Sequence, residues 1–288
     1  MGKERSRGRH AVGLTLVFAF VAVTAVACVP APPPPPSIVF YGDSITSETQ
    51  SYVEFLLAKQ RPGWRRYFRT YGGTAICDYL DEMRADGNLN AKVVVIQFSG
   101  NALSPCMAGI APETLNWYLK YRSDATTAAS IWKARGTRVL FVGNLRGVCA
   151  TPPHQLDATY RSVATQYGMR FTDAPSLALT VVLEPAAAGS AAAAPPAVYA
   201  AGTKPEPTLV AASSWPCSAP TAPTRVFAFQ MPCLSFEDAA HGCVGGMITV
   251  RDGTASSPGG HFDRHGTYSS GAWRFGGAIA NAAAALMI

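Results

Sequence analysis

From residue 37 onward, apolar positions follow two spacings in turn. Runs at 38–41, 67–71, 93–98, 138–142 and 169–172 are short, nearly continuous and rich in Val, Ile and Phe, the pattern of strands covered on both faces. Between them, 51–59, 114–135 and 156–167 repeat apolar residues at helical spacing. The segment 268–287, rich in Gly and Ala with one aromatic face, reads as a closing helix. Strands alternating with helices predict βαβ units, a mostly parallel sheet and an α/β fold. The stretch from about 185 to 246 leaves this rhythm, with an alanine-rich run, several prolines and three cysteines. It reads as a long insertion stapled by disulfides, which either carries specificity or is surface loop. No internal repeat is present.

The N-terminus has its own pattern. Lys3, Arg5, Arg7 and Arg9 precede an uncharged apolar run from Ala11 to Ala27, the layout of an export signal. Its apolar part, about 15 residues, is shorter than the roughly 20 that span a bilayer. The run ends Ala25-Val26-Ala27-Cys28, which resembles a bacterial lipobox with Cys28 as the lipidated residue, although Ala25 stands where Leu is usual. Cleavage near Ala27 by an ordinary signal peptidase is the alternative. The expected organisation is a signal peptide over 1–28, a stiff Pro-rich spacer over 29–36 and one domain over 37–288. The location is the outer face of the cell membrane, or outside the cell.

Charge then loses most of its significance. Without those four bases and Glu4 the formal net charge of +6 falls to +3, and no later Lys/Arg block is interleaved with aromatics. Nucleic acid is therefore excluded as a partner. Arg61, Arg65, Arg66 and Arg69 cluster over a turn and a strand and read as a solvated face. Beyond Cys28 there are six cysteines, Cys77, Cys106, Cys149, Cys217, Cys233 and Cys243. An even number in an exported chain predicts three disulfides, and the absence of zinc-type spacing predicts no structural metal.

Three motifs close predicted strands. Gly42-Asp43-Ser44-Ile45-Thr46 follows the first, Tyr71-Gly72-Gly73-Thr74 the second, and Ser99-Gly100-Asn101 the third. Ligands of open α/β sheets bind beyond the carboxyl ends of strands. Ser44 falls near a helix N-terminus, where backbone N–H groups stabilise an oxyanion. A glycine lets an N–H approach closely, and Asn101 supplies a side-chain donor. Each motif alone also fits a plain structural role, as N-cap, turn or Asx-turn. Cys77 and Cys106 each follow one of these loops and are expected to pair. Ser44 does not lie in G-x-S-x-G, so a nucleophile elbow is not supported. Trp117, Tyr118 and Tyr121 fit core packing better than a sugar platform, and Trp273 and Phe275 beside Arg274 fit helix-to-sheet contacts.

The three motifs in this order resemble the SGNH, or GDSL-like, hydrolase family, over roughly 37–287 apart from the insertion. The resemblance implies a flavodoxin-like three-layer α/β/α sandwich with a five-stranded, mostly parallel sheet. It implies Ser44 as nucleophile, and an oxyanion hole from the N–H groups of Ser44 and Gly73, with Gly72 as competitor, and the Asn101 side chain. The family's fourth block, Asp-x-x-His, is broken: Pro258 precedes His261 by three and Phe262 precedes His265. Gly-x-His-Phe ahead of the last helix resembles related sequences, which favours His261 as base, with His265 as the alternative. Asp252 or Asp263 is the displaced acid, unless a backbone carbonyl serves; His154 and His241 read as surface residues. The implied activity is hydrolysis of a carboxylic ester through an acyl-enzyme on Ser44, without cofactor or metal. The implied substrate is a small-molecule, lipid or acylated-glycan ester, and the implied state is a monomer touching membrane only through its lipid anchor. An envelope O-acyltransferase and a lapsed, glycan-binding domain are the alternatives.

Overall fold

The computed structural model describes residues 33–112, 114–144, 155–174, 181–182, 208–209, 229–232, 247–254, 257–262 and 268–288. Its centre is a sheet of β1 (Ser37–Gly42), β2 (Arg65–Thr70), β3 (Ala91–Gln97), β4 (Arg138–Val142) and β5 (Arg170–Thr172). The order is β2-β1-β3-β4-β5, and every neighbouring pair is parallel. The chain leaves β1 for β2 at one edge, then crosses back to β3 on the other side of β1. That reversal opens a crevice at the carboxyl ends of β1 and β3, where doubly wound sheets bind ligands.

The central strands are apolar on both faces because both are covered. Ile38, Phe40, Val93, Val95, Leu140 and Val142 pack against helices α1 (Ser44–Gln60) and α5 (Ser270–Ala284). Val39, Tyr41, Val94, Ile96, Val139 and Phe141 face the other layer, with α2 (Leu80–Ala85), α3 (Leu115–Lys133) and α4 (Gln155–Tyr167). The predicted α/β sandwich with a five-stranded parallel sheet is thus the fold found. Among the described residues no helix is long and apolar enough to cross a membrane.

Two features differ from the sequence expectation. Helix α1 begins at Ser44, seven residues before the predicted 51, because Asp43 caps it and its first turns bury Thr46 and Thr49. Thr46 Oγ1 donates to the Gln97 carbonyl at 3.1 Å, so these turns pack by hydrogen bonds that a hydrophobic pattern does not register. The second difference is antiparallel structure between β5 and α5. Strand β8 (Phe229–Pro232) lies inside the predicted insertion, yet it pairs with β9 (Met247–Thr254), which pairs with β10 (Ser257–Phe262). Strand β6 (Val181–Val182) pairs with β7 (Thr208–Leu209). The insertion is therefore not all loop, and it connects by strand pairing to the segment carrying His261.

Three of the four clustered arginines are held internally, while Arg65 is exposed. Arg61 donates to the carbonyls of Met287 and Ala284 at the end of α5, Arg66 to the Trp64 carbonyl, and Arg69 pairs with Asp86 and Glu82.

Candidate active site

The turn from β1 into α1 explains its own sequence. A Cβ on Gly42 would lie 1.9 Å from Thr46 Oγ1 and 2.6 Å from the Gln97 carbonyl, so no side chain fits there. Asp43 is fully buried and caps α1, its Oδ1 accepting from Ile45 N at 3.0 Å. Ser44 follows as the first helical residue, half-buried, where helix N–H groups are unpaired. The N-cap role read for this motif belongs to Asp43 and leaves the Ser44 hydroxyl out of the cap.

The β2 exit lies beside it. Tyr71 N donates to the Gly42 carbonyl at 3.3 Å, and a Cβ on Gly72 would sit 3.7 Å from Ser44 Cβ. Gly73 has φ +81° and faces Leu103. Of the two glycines, Gly72 lies directly against the serine.

The β3 exit is tied to Asp43. Its Oδ2 accepts from Ser99 N at 2.6 Å, Ser99 Oγ at 2.6 Å and Asn101 Nδ2 at 3.0 Å. Asn101 Nδ2 also donates to the Thr74 carbonyl at 3.3 Å, bridging the second and third loops. Gly100 has φ +99°, and a Cβ there would meet Trp117 Cζ2 at 2.7 Å. Tyr121 donates from its hydroxyl to the Asn101 carbonyl at 2.8 Å. The Trp117 and Tyr121 pair is fully buried core, as the spacing suggests, and it also seats the Asn101 loop. Burial pushes the Asp43 carboxyl above its ordinary value, opposed by hydrogen bonds from Ser99 and Ile45 and by the charge of His261.

A polar chain continues from this point. Asn144, after β4, donates from Nδ2 to the Ser99 carbonyl at 2.7 Å. Its own N–H donates to Asp157 Oδ1 at 2.7 Å, in the first turn of α4. Burial raises the Asp157 carboxyl to about 7.

His261 arrives from β10. The β9–β10 register slips between Ser257 and His261, across Pro258-Gly259-Gly260. Proline has no N–H for the ladder, and bulges of this kind re-aim side chains next to active sites. Phe262 is buried against Phe275 at 5.9 Å between centroids. The His261 Nδ1 contacts Glu48 Oε1, and Glu48 Oε2 accepts from Phe262 N at 3.0 Å. Glu48 lies four residues after Ser44, one turn along the same face of α1. The imidazole is therefore attached to the helix that begins at Ser44.

Of the candidate site residues, Ser44, Gly72, Gly73 and Asn101 lie at the strand ends, and His261 is tied to the helix that begins at Ser44. Asp252 stands opposite His261 in the β9–β10 ladder. His265, Asp263, His154 and His241 lie outside the described residues, as do Cys28, Cys149, Cys217, Cys233 and Cys243. Cys77 and Cys106 form the expected disulfide, which leaves neither sulfur as a thiolate for a metal. Sequence reasoning missed Glu48, Asn144 and Asp157. Glu48 carried a signal in its one-turn spacing from Ser44, and Gly143-Asn144 repeats Gly100-Asn101 at the next strand end.

No family model and no curated protein matches the chain. Solved structures do. A structure of TesA matches with 20% identity and TM-score 0.38 over 48% of this chain and 77% of that one. A putative acylhydrolase from Bacteroides fragilis gives 17% and 0.40 over 60% and 81%. A GDSL-like lipase from Bacteroides thetaiotaomicron gives 16% and 0.38 over 57% and 80%. A TM-score in this range assigns no function, so the chemistry has to be read from the residues.

Proposed function

We propose that this chain is a serine hydrolase of the SGNH type that cleaves carboxylic esters through an acyl-enzyme on Ser44. The observation that supports it most is the attachment of His261 to the Ser44 helix through Glu48, one turn from the serine. His261 takes the Ser44 hydroxyl proton as Oγ bonds to the ester carbonyl carbon. It then returns that proton to the departing alcohol as the C–O bond breaks. Water, deprotonated by the same imidazole, releases the acid and restores Ser44. The carbonyl oxygen, negative in between, accepts from the N–H groups of Ser44 and Gly73 and from Asn101. Asn101 exchanges its longer bond, to Thr74, for this one. Removing one such donor costs about 10²–10³-fold in turnover.

The basic and apolar N-terminus ending at Cys28 supports an exported protein, lipid-anchored or secreted, and the Cys77–Cys106 bridge fits an oxidising compartment. Hydrolysis of p-nitrophenyl acetate, with fluorophosphonate labelling mapped by peptide mass, tests the reading. Wild type should turn over and carry the label on Ser44, and Ser44→Ala should do neither at an almost unchanged melting temperature. His261→Ala should lose turnover; retention there with loss in His265→Ala moves the base to His265. Oxidised, folded wild type that takes no label overturns the hydrolase reading and favours a binding domain.

A further inference from the structure

Resting on that hydrolase reading, we propose that Glu48 is the acid that orients the catalytic imidazole, in the place that the missing Asp-x-x-His would fill. The acid then comes from the nucleophile's helix rather than from the histidine's own loop.

Both oxygens of Glu48 have work that only a carboxylate can do. Oε1 meets the His261 ring at Nδ1, and Oε2 accepts from the next residue's backbone, Phe262 N, at 3.0 Å. Two donors from consecutive residues fix the ring and the end of β10 together. With Nδ1 bearing the proton that Glu48 accepts, Nε2 is the basic nitrogen. Helical side chains lean toward the helix N-terminus, so the Glu48 carboxylate leans over the turn that starts at Ser44. The exposures divide to match: the Glu48 side chain is 14% exposed and His261 58%, a covered acid behind an exposed ring. Phe262, seated on Phe275, prevents the strand end from lifting away.

When Nε2 takes the Ser44 proton, the ring becomes an imidazolium whose positive charge lies beside the Glu48 anion. Glu48 stays ionised throughout, and the proton passes on to the leaving alkoxide from Nε2. Glu48 never touches substrate; it is a positioning residue acting through His261. The rival acid is Asp252, the cross-strand neighbour of His261.

The test is p-nitrophenyl acetate hydrolysis by the full oxidised chain in five forms: wild type, Ser44→Ala, Glu48→Gln, Glu48→Asp and Asp252→Asn. Each active form is followed across pH. A carboxamide accepts from only one of the two donors that Glu48 serves, so Glu48→Gln either presents N–H to the ring and selects the wrong tautomer or abandons Phe262. Expected is a loss of ~10²–10⁴-fold in kcat with KM nearly unchanged. The acid limb of kcat/KM should move to lower pH, because the imidazolium has lost its counter-charge. Glu48→Asp, which keeps the charge, should hold that limb near its wild-type position; it decides the matter if the Gln variant does not fold, and a limb displaced to low pH in folded Glu48→Asp then overturns the proposal. Wild-type turnover with an unshifted limb in folded Glu48→Gln overturns the Glu48 assignment alone, as does a loss confined to Asp252→Asn. Inactive wild type without label on Ser44 overturns the hydrolase reading and this proposal with it.

Discussion

Replacing Asp43 by Asn changes one atom in the most heavily bonded side chain of the crevice. Four donors converge on the carboxylate: Ile45 N on Oδ1, and Ser99 N, Ser99 Oγ and Asn101 Nδ2 on Oδ2. Three of the four are N–H groups that can only donate, which favours the charged carboxylate and opposes the burial that raises its affinity for a proton. An amide of the same shape has one acceptor and one donor. With its oxygen toward Ser99 and Asn101, its NH2 opposes Ile45 N–H. The cap is then lost, at about 1 kcal/mol, and a buried donor is stranded, at roughly 1–3 kcal/mol. The reverse orientation opposes three donors and is worse. The expected cost is therefore about 2–4 kcal/mol, or roughly 5–15 °C in melting temperature at about 2–4 °C per kcal/mol for a domain of this size. Circular dichroism melts at pH 7 read it directly. Because the favoured orientation keeps the Asn101 bond, turnover of folded Asp43→Asn should fall less than in Asp43→Ala, where nothing restrains Asn101. A melt indistinguishable from wild type would refute the reasoning, since it would mean that the buried acid is neutral and an amide replaces it without loss.

Three further outcomes are expected. Folded Asp157 keeps its proton up to about 7 while the unfolded chain releases it near 3.8. Stability from this group is thus complete below about 4 and is lost as pH rises through 7, by up to about 4 kcal/mol; urea midpoints from pH 4 to 8 should show that slope, and Asp157→Asn should flatten it. Gly100→Ala adds a Cβ 2.7 Å from Trp117 at φ +99°, and should cost about 3 kcal/mol by denaturant unfolding and depress kcat by moving Asn101. Replacing both Cys77 and Cys106 by Ala opens a loop of sequence separation 29 and should cost about 3–4 kcal/mol in the same measurement.

The sheet was legible because β1, β3 and β4 are buried on both sides, so that nearly every residue reports its environment. The crevice was legible where the sequence motifs close strands, at Ser44, Gly73 and Asn101. The start of α1 was hidden because Thr46 and Thr49 pack through hydroxyls. The β9–β10 hairpin was hidden because its Asp, Gly and Pro residues resemble loop, and the bulge that aims His261 depends on those residues. Glu48 was hidden for a different reason: its partner is 213 residues away, and an acid one turn past a serine gains meaning only when a distant ring reaches it.

The Cys77–Cys106 bridge links the segment behind Gly72-Gly73 to the one behind Asn101, the two loops that carry the proposed donors. Their relative placement thus depends on the redox history of the sample as well as on the chain. Material made in a reducing host cytosol would keep the parallel sheet, which has no cysteine in its strands, yet carry a loosened pair of loops. Tests of the proposed ester hydrolysis therefore call for material matured under oxidising conditions.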